Sequence, residues 1–289
     1  MDTASRGWLN GFIGMLIFSG SLPATRVAVA DFDPVFLTAA RASIAGLLAL
    51  LALLLLRAPR PSRQQWWPLA IVAMGVVIGF PLLTALALRH VTSAHSVVFI
   101  ALLPLSTAAF GVLRGGERPR PPFWVFSVLG SAFVIGFAAA QGLDAAPLGD
   151  LLMLAAILVC GLGYAEGAKL SRVLGGWQVI CWALVIALPV MLIGSLWLMP
   201  LSLSDVGAPA WAGLGYVSLF SMLIGFVFWY RGLAQGGIAA VGQLQLLQPL
   251  FGLALAAGLL HESVSPAMLA VTVAVIGCVA GARRFSRPR

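Results

Sequence analysis

The chain has 289 residues, of which 61% are hydrophobic and 9% charged; its formal net charge is +8 and its mean hydropathy +1.03. So little polar surface cannot cover a water-soluble globule of this length, which excludes a soluble enzyme or binding domain. The basic excess is not a nucleic-acid footprint either, because it is scattered between apolar runs rather than gathered beside a solvated aromatic platform.

A helix needs about 20 apolar residues to cross the hydrocarbon, and ten such segments are predicted, at 8–29, 35–56, 67–88, 92–113, 123–140, 149–170, 178–199, 210–230, 237–260 and 266–282. The first has features of a secretory signal, with Arg6 before an apolar run and Ala28-Val29-Ala30 as a small-residue site. Cleavage would remove the counterpart of the sixth segment, so retention is expected. Between the segments the loops are short. With the N-terminus in the cytoplasm, Arg6, Arg57, Arg60, Arg63, Arg114, Arg118, Arg120, Lys169, Arg172, Arg231, Arg283, Arg284, Arg287 and Arg289 fall on the cytoplasmic side. Only Arg26 and Arg89 fall outside, where the loops carry Asp31, Asp33, Asp144 and Asp205. By the positive-inside rule both termini are cytoplasmic in a multi-pass protein of the bacterial inner membrane.

Laid over the first half with a shift of 145 residues, the second half places Pro249-Leu250 on Pro104-Leu105. The same register pairs Trp66 with Trp211, Leu88 with Leu233, Ala94 with Ala239, Glu117 with Glu262, Pro121 with Pro266 and Val128 with Val273. The expected organisation is therefore one five-helix repeat over residues 1–145 and a second over 146–289. An odd number of crossings per copy inverts the second relative to the first, a transporter design. The fold class is all-α, with ten transmembrane helices around a central cavity.

Few residues inside the spans can carry chemistry. In the ninth, Gln243, Gln245 and Gln248 interrupt an apolar run; on an α-helix Gln245 and Gln248 share a face with Gly242 and Gly252, and Gln243 points elsewhere. Amides can hold a zwitterion without the desolvation cost of a fixed charge, although helix-to-helix hydrogen bonding uses the same residue type. The matching stretch of the fourth span offers His95, Ser96 and Phe99. Ser19 and Ser21 align with Tyr164 and Glu166, which puts polar groups of the first and sixth spans at matching depths. Phe80, Phe226, Trp229 and Tyr230 could line an apolar pocket with them. Glu166 lies three residues from Lys169, so an internal ion pair competes with a proton site; Glu166 and His95 are the candidates for ion coupling. Arg41, in the second span, fits a snorkelling or structural contact to a carbonyl. Pro104 and Pro249 each remove a backbone hydrogen bond near mid-span and are candidate hinges.

Gly75/Gly79, Gly111/Gly115, Gly163/Gly167 and Gly277/Gly281 are close-packing marks. Cys160, Cys181 and Cys278 lie in apolar segments with no metal-ligand spacing, and there is no GxxxxGK[ST], HExxH or GxSxG sequence. No metal, cofactor, nucleic-acid partner or catalytic residue is expected; the partners are small molecules and lipid, and the oligomeric state stays open, a monomer included.

Arg41, Pro104 with Glu117 in "LPLSTAAFGVLRGGERPRP", and Pro249 with Glu262 in "QPLFGLALAAGLLHESVSP" resemble the EamA family of the drug/metabolite transporter superfamily. The resemblance covers essentially the whole chain. It implies two inverted five-helix repeats around a central cavity, alternating access, and export of small metabolites, with the exporters of aromatic and other neutral amino acids the nearest branch. Multidrug or nucleotide-sugar carriage is the alternative within the superfamily; a non-transporting membrane protein or an intramembrane enzyme is the alternative from another class. Glu117 and Glu262, at span ends, are expected to be structural.

Overall fold

The computed structural model describes residues 2–87, 90, 99–140, 146–200, 202, 204–248, 250–252, 254–255 and 266–286, without the side chains of Leu22, Arg26, Phe137, Ala138, Met268 and Leu269. His95, Ser96, Pro249 and Glu262 lie outside the described residues. The described structure is helical throughout, with no strand among these residues. The helices are α1 (Thr3–Ser19), α2 (Ser21–Ala28), α3 (Pro34–Leu55), α4 (Arg63–Ala87), α5 (Leu103–Gly115), α6 (Pro121–Ala139), α7 (Pro147–Leu174), α8 (Gly176–Trp197), α9 (Ala208–Gly236), α10 (Ile238–Gly242) and α11 (Pro266–Phe285). Five of these, α3, α4, α7, α8 and α9, are each long and apolar enough to cross a bilayer. Of the rest, α6 and α11 cover the predicted spans 123–140 and 266–282, and α1, α2, α5 and α10 cover parts of the first, fourth and ninth.

Packing inverts the pattern of a soluble protein. On α3 the buried face is Ala39, Ala42, Ala45, Gly46 and Ala49, while Ile44, Leu47, Leu51, Leu54 and Leu55 are exposed. Lipid solvates leucine as well as a neighbouring helix does, so small residues go inward, where they allow close approach. The same logic brings α1 against α9. A Cβ on Gly232 would lie 2.5 Å from the Gly11 amide nitrogen, and one on Gly14 2.9 Å from the Trp229 nitrogen. Between α4 and α7, a Cβ on Gly75 would sit 2.6 Å from the Val159 carbonyl oxygen. Gly7/Gly11 and Gly232/Gly236 are thus GxxxG pairs that the sequence reading passed over, whereas nothing lies within 4 Å of a Cβ on Gly277.

The helix pairs respect the repeat. α1 packs along α9 and α7 along α4; α3 packs on α8, α6 on α11, and α5 on α10. Exchanging the two halves swaps the first two pairs and returns the α3–α8 and α6–α11 pairs to themselves. Irregularities repeat as well. α4 contains a π-helical stretch at Ala73–Gly79 and α9 one at Val217–Ile224, related by the 145-residue shift to within one residue. Ser21–Ala28 is set off from α1 at Gly20, where the Tyr216 hydroxyl donates to the Ile17 carbonyl (2.8 Å) and occupies the space a Cβ on Gly20 would need.

The ninth span differs most from expectation. It is α-helical only through Gly242, then a 3-10 helix over Gln243–Leu247, and helical again at Gln248. At the equivalent place in the fourth span the chain turns at residues 101 and 102, with Leu102 N–H bonded to the Phe99 carbonyl, before α5 starts. Pro104 therefore stands in the first turn of α5, where a missing N–H leaves no helical bond unmade. The break precedes the proline.

Contacts gather the basic loops at one end. Arg120 N–H bonds the Phe285 carbonyl, Arg283 stacks over Trp8 at 4.5 Å, and the chain around Gly176 abuts Arg231. At the opposite end Gly207 N–H donates to Asp31 (2.8 Å) and Phe32 meets Trp211 edge-on.

Candidate transport site

The middle of the bundle is an aromatic cluster built by α1, α7 and α9. Tyr164 lies 5.5 Å from Trp229 and 6.0 Å from Phe226, ring centre to ring centre; Phe18 lies 5.0 Å from Phe226, and Phe226 5.4 Å from Tyr230. Trp229 and Tyr230 are fully buried. The Gln245 amide nitrogen donates to the Tyr164 hydroxyl (3.2 Å), and the Tyr230 hydroxyl donates to the Gly163 carbonyl (3.3 Å).

These polar groups are incompletely satisfied. Among the described residues Trp229 Nε1, Gln245 Oε1, Thr107 Oγ1 and both amide atoms of Gln243 are buried without a hydrogen-bond partner. A buried group left in that state costs about 1–3 kcal/mol. Several of them on α5, α9 and the 3-10 turn between α10 and Gln248 make this region polar and unsaturated inside an apolar bundle.

Of the predicted site residues, the structure brings together Tyr164, Phe226, Trp229, Tyr230 and Gln245. Phe80, Phe99 and Gln248 are half-buried, the two phenylalanines against the same core. Ser19 is buried but donates to the Met15 carbonyl of its own helix (3.0 Å), and so does not point into the cluster. Ser21 donates to Ser221 (2.8 Å), which also accepts from Arg41 Nη2 (3.2 Å). Arg41 thus contacts a hydroxyl rather than a carbonyl. Sequence reasoning missed Phe18, Thr107 and Ser221. For Phe18 the signal was available: it sits one turn from Ser21 on the span aligned with Tyr164.

Glu166 requires a correction. Its partner is Arg114 at the end of α5 (2.5 Å), not Lys169, which is exposed. One turn of helix spacing suggested the local pair, but Glu166 is 1% exposed and faces the neighbouring helix, where a guanidinium reaches it. Nearby, the Glu117 carboxylate accepts from the backbone N–H groups of Ile238 (2.6 Å) and Ala239 (2.7 Å), and Arg172 approaches it at 3.5 Å. Gly237, at φ +97°, turns the chain so that α10 presents those free N–H groups to the carboxylate. The end of α5 is therefore tied to α7 and α10 together. Beside this tie, two clefts of about 400 and 390 Å³ open at the basic end, one lined by Trp8 and Arg283, the other by Glu117 and Arg172.

The EamA-like transporter family model matches residues 5–138 and again residues 147–282. The chain belongs to that family. It is 68% identical over 287 residues to "Uncharacterized transporter YdeK" of Bacillus subtilis (strain 168), covering 99% of this chain and 100% of that protein. An "Uncharacterized transporter" of Archaeoglobus fulgidus is 24% identical over 247 residues, 82% of this chain and 83% of its own. A solved structure titled "Crystal structure of protein" superposes with a TM-score of 0.81 at 23% identity, covering 98% of both chains, and shows the fold. The chain is a multi-pass membrane transporter of the drug/metabolite transporter superfamily.

Proposed function

We propose that this transporter exports amino acids or related small metabolites across the bacterial inner membrane by alternating access, with both termini in the cytoplasm. The observation that carries the reading is the central cluster, in which aromatic rings surround an amide–phenol pair and two buried polar atoms, Trp229 Nε1 and Gln245 Oε1, lack partners. A ligand with an apolar body and a polar head would complete those hydrogen bonds while stacking on the rings. Glu166, the one deep carboxylate among the described residues, is neutralised by Arg114, which weakens the case for a cationic-drug carrier and for Glu166 as an ion-coupling group.

The exchange of helix pairs between the halves supports two inverted repeats, over 1–145 and 146–289, moving against each other. The break before Pro104 supplies one flexing point, and Pro249 would mark its counterpart. The Glu117 and Arg114 ties close the basic, cytoplasmic end. A counterflow screen of the twenty amino acids in proteoliposomes tests the reading. Exchange of one or more neutral amino acids well above protein-free liposomes is expected; no exchange of any would refute it.

A further inference from the structure

Arg41 lies in α3 with its Nε buried and, among the described residues, unpartnered. It makes no ion pair with any described carboxylate, and its Nη2 donates to the Ser221 hydroxyl. A guanidinium presents five N–H donors in a planar fork. Holding one inside a membrane protein without a counter-charge is costly, and such groups as a rule face a cavity, a partner or a ligand. Ser221 accepts from both Arg41 and Ser21, so its own hydrogen is free to be donated. Ser221 also lies within the π-helical stretch Val217–Ile224, a wide turn of a kind that clusters at functional sites.

This polar group adjoins the aromatic cluster. A Cβ on Gly225, one turn along α9 from Ser221, would lie 2.7 Å from the Phe18 ring. Ser221 and Phe226 lie about 7 Å apart along the helix axis, a distance that an aromatic amino acid spans. We infer that Arg41, assisted by Ser221, is the carboxylate subsite of the transport site, so that the transported molecules are carboxylates with an apolar body rather than amines or uncharged compounds. A guanidinium is suited to this because its fork matches the two carboxylate oxygens, a pairing that lysine or glutamine does not reproduce. The inference rests on the reading of the chain as a carrier of amino acids and related metabolites.

Two measurements separate the subsite from the transport reading. In the first, melting of the detergent-solubilised full chain is followed with phenylalanine, hydrocinnamate, phenethylamine, phenylalaninamide and sodium chloride. Phenylalanine and hydrocinnamate should raise the melting temperature, the amine, the amide and chloride should not, and the shift should vanish in Arg41→Gln and shrink in Ser221→Ala. Equal shifts from the amide, a chloride shift as large as that of the carboxylates, or a shift retained in both variants would overturn the subsite. If Arg41→Gln does not fold, Ser221→Ala and Arg41→Lys decide, with at least a fivefold weaker carboxylate response expected in each. The second measurement is phenylalanine counterflow in liposomes. Carboxylate-dependent melting without counterflow of any amino acid would leave the subsite standing and sink the transport reading, whereas counterflow undiminished in Arg41→Gln would do the reverse.

Discussion

Gln245 is the side chain on which the central cluster turns. One amide atom is committed to Tyr164 and the other is buried and unpartnered. Gln245→Ala should weaken apparent affinity in liposome counterflow by about 5- to 150-fold, the equivalent of roughly 1–3 kcal/mol for a lost buried contact, at matched reconstitution. Unchanged affinity would make the pair a helix-to-helix bond. Gln243 gives a complementary case, since both of its amide atoms are buried without partners. Replacing a buried unsatisfied group by an apolar one of similar shape is neutral or stabilising. Gln243→Leu should therefore hold or raise the melting temperature of the detergent-solubilised protein while lowering transport; a lowered melting temperature would show that the amide has a structural partner. The sequence pointed to Gln245 because polar residues stand out in an apolar span. The 3-10 turn over Gln243–Leu247 was not legible there, because the amide faces were reckoned at 100° per residue. The Arg114–Glu166 pair was equally hidden, since a partner 52 residues away leaves no local spacing.

At the level of elements, the end of α5 is fastened by one carboxylate to two amide groups of α10 and by two ion pairs to α7. Charge-assisted bonds to a helix N-terminus hold in a place that water reaches only in part. Glu117→Ala should lower the melting temperature and raise the labelling of a cysteine placed at Ala234, beside the cleft it lines. Labelling unchanged from the parent would show that this end is held by packing alone. The reading of Glu117 as structural came from its position at a span end. What it caps could not be read, because that depends on Gly237 turning α10 toward it. The five helices long enough to cross a bilayer were legible from hydropathy, but the π-helical stretches of α4 and α9 and the break at Gly20 were not. Those depend on tertiary contacts such as Tyr216 over Gly20, which leave no period in the sequence.

For the whole molecule, composition alone placed the chain in a bilayer, and the 145-residue register relates the irregularities of one half to those of the other. The π-helical stretches do so. The direction of each half and the sidedness of the termini belong to the functional proposal, whose central claim is that the two ends open in turn around the aromatic core. That claim predicts opposite responses at the two ends to one ligand. The direct measurement uses the full chain with Cys160, Cys181 and Cys278 replaced by serine and single cysteines returned at Arg118, on the basic end, and at Asp205, on the other. Labelling by an impermeant maleimide is followed in oriented membrane vesicles, with and without an amino acid that the counterflow screen identifies as transported. The account predicts that the ligand raises labelling at one position and lowers it at the other; labelling that changes in the same sense at both, or at neither, would contradict it.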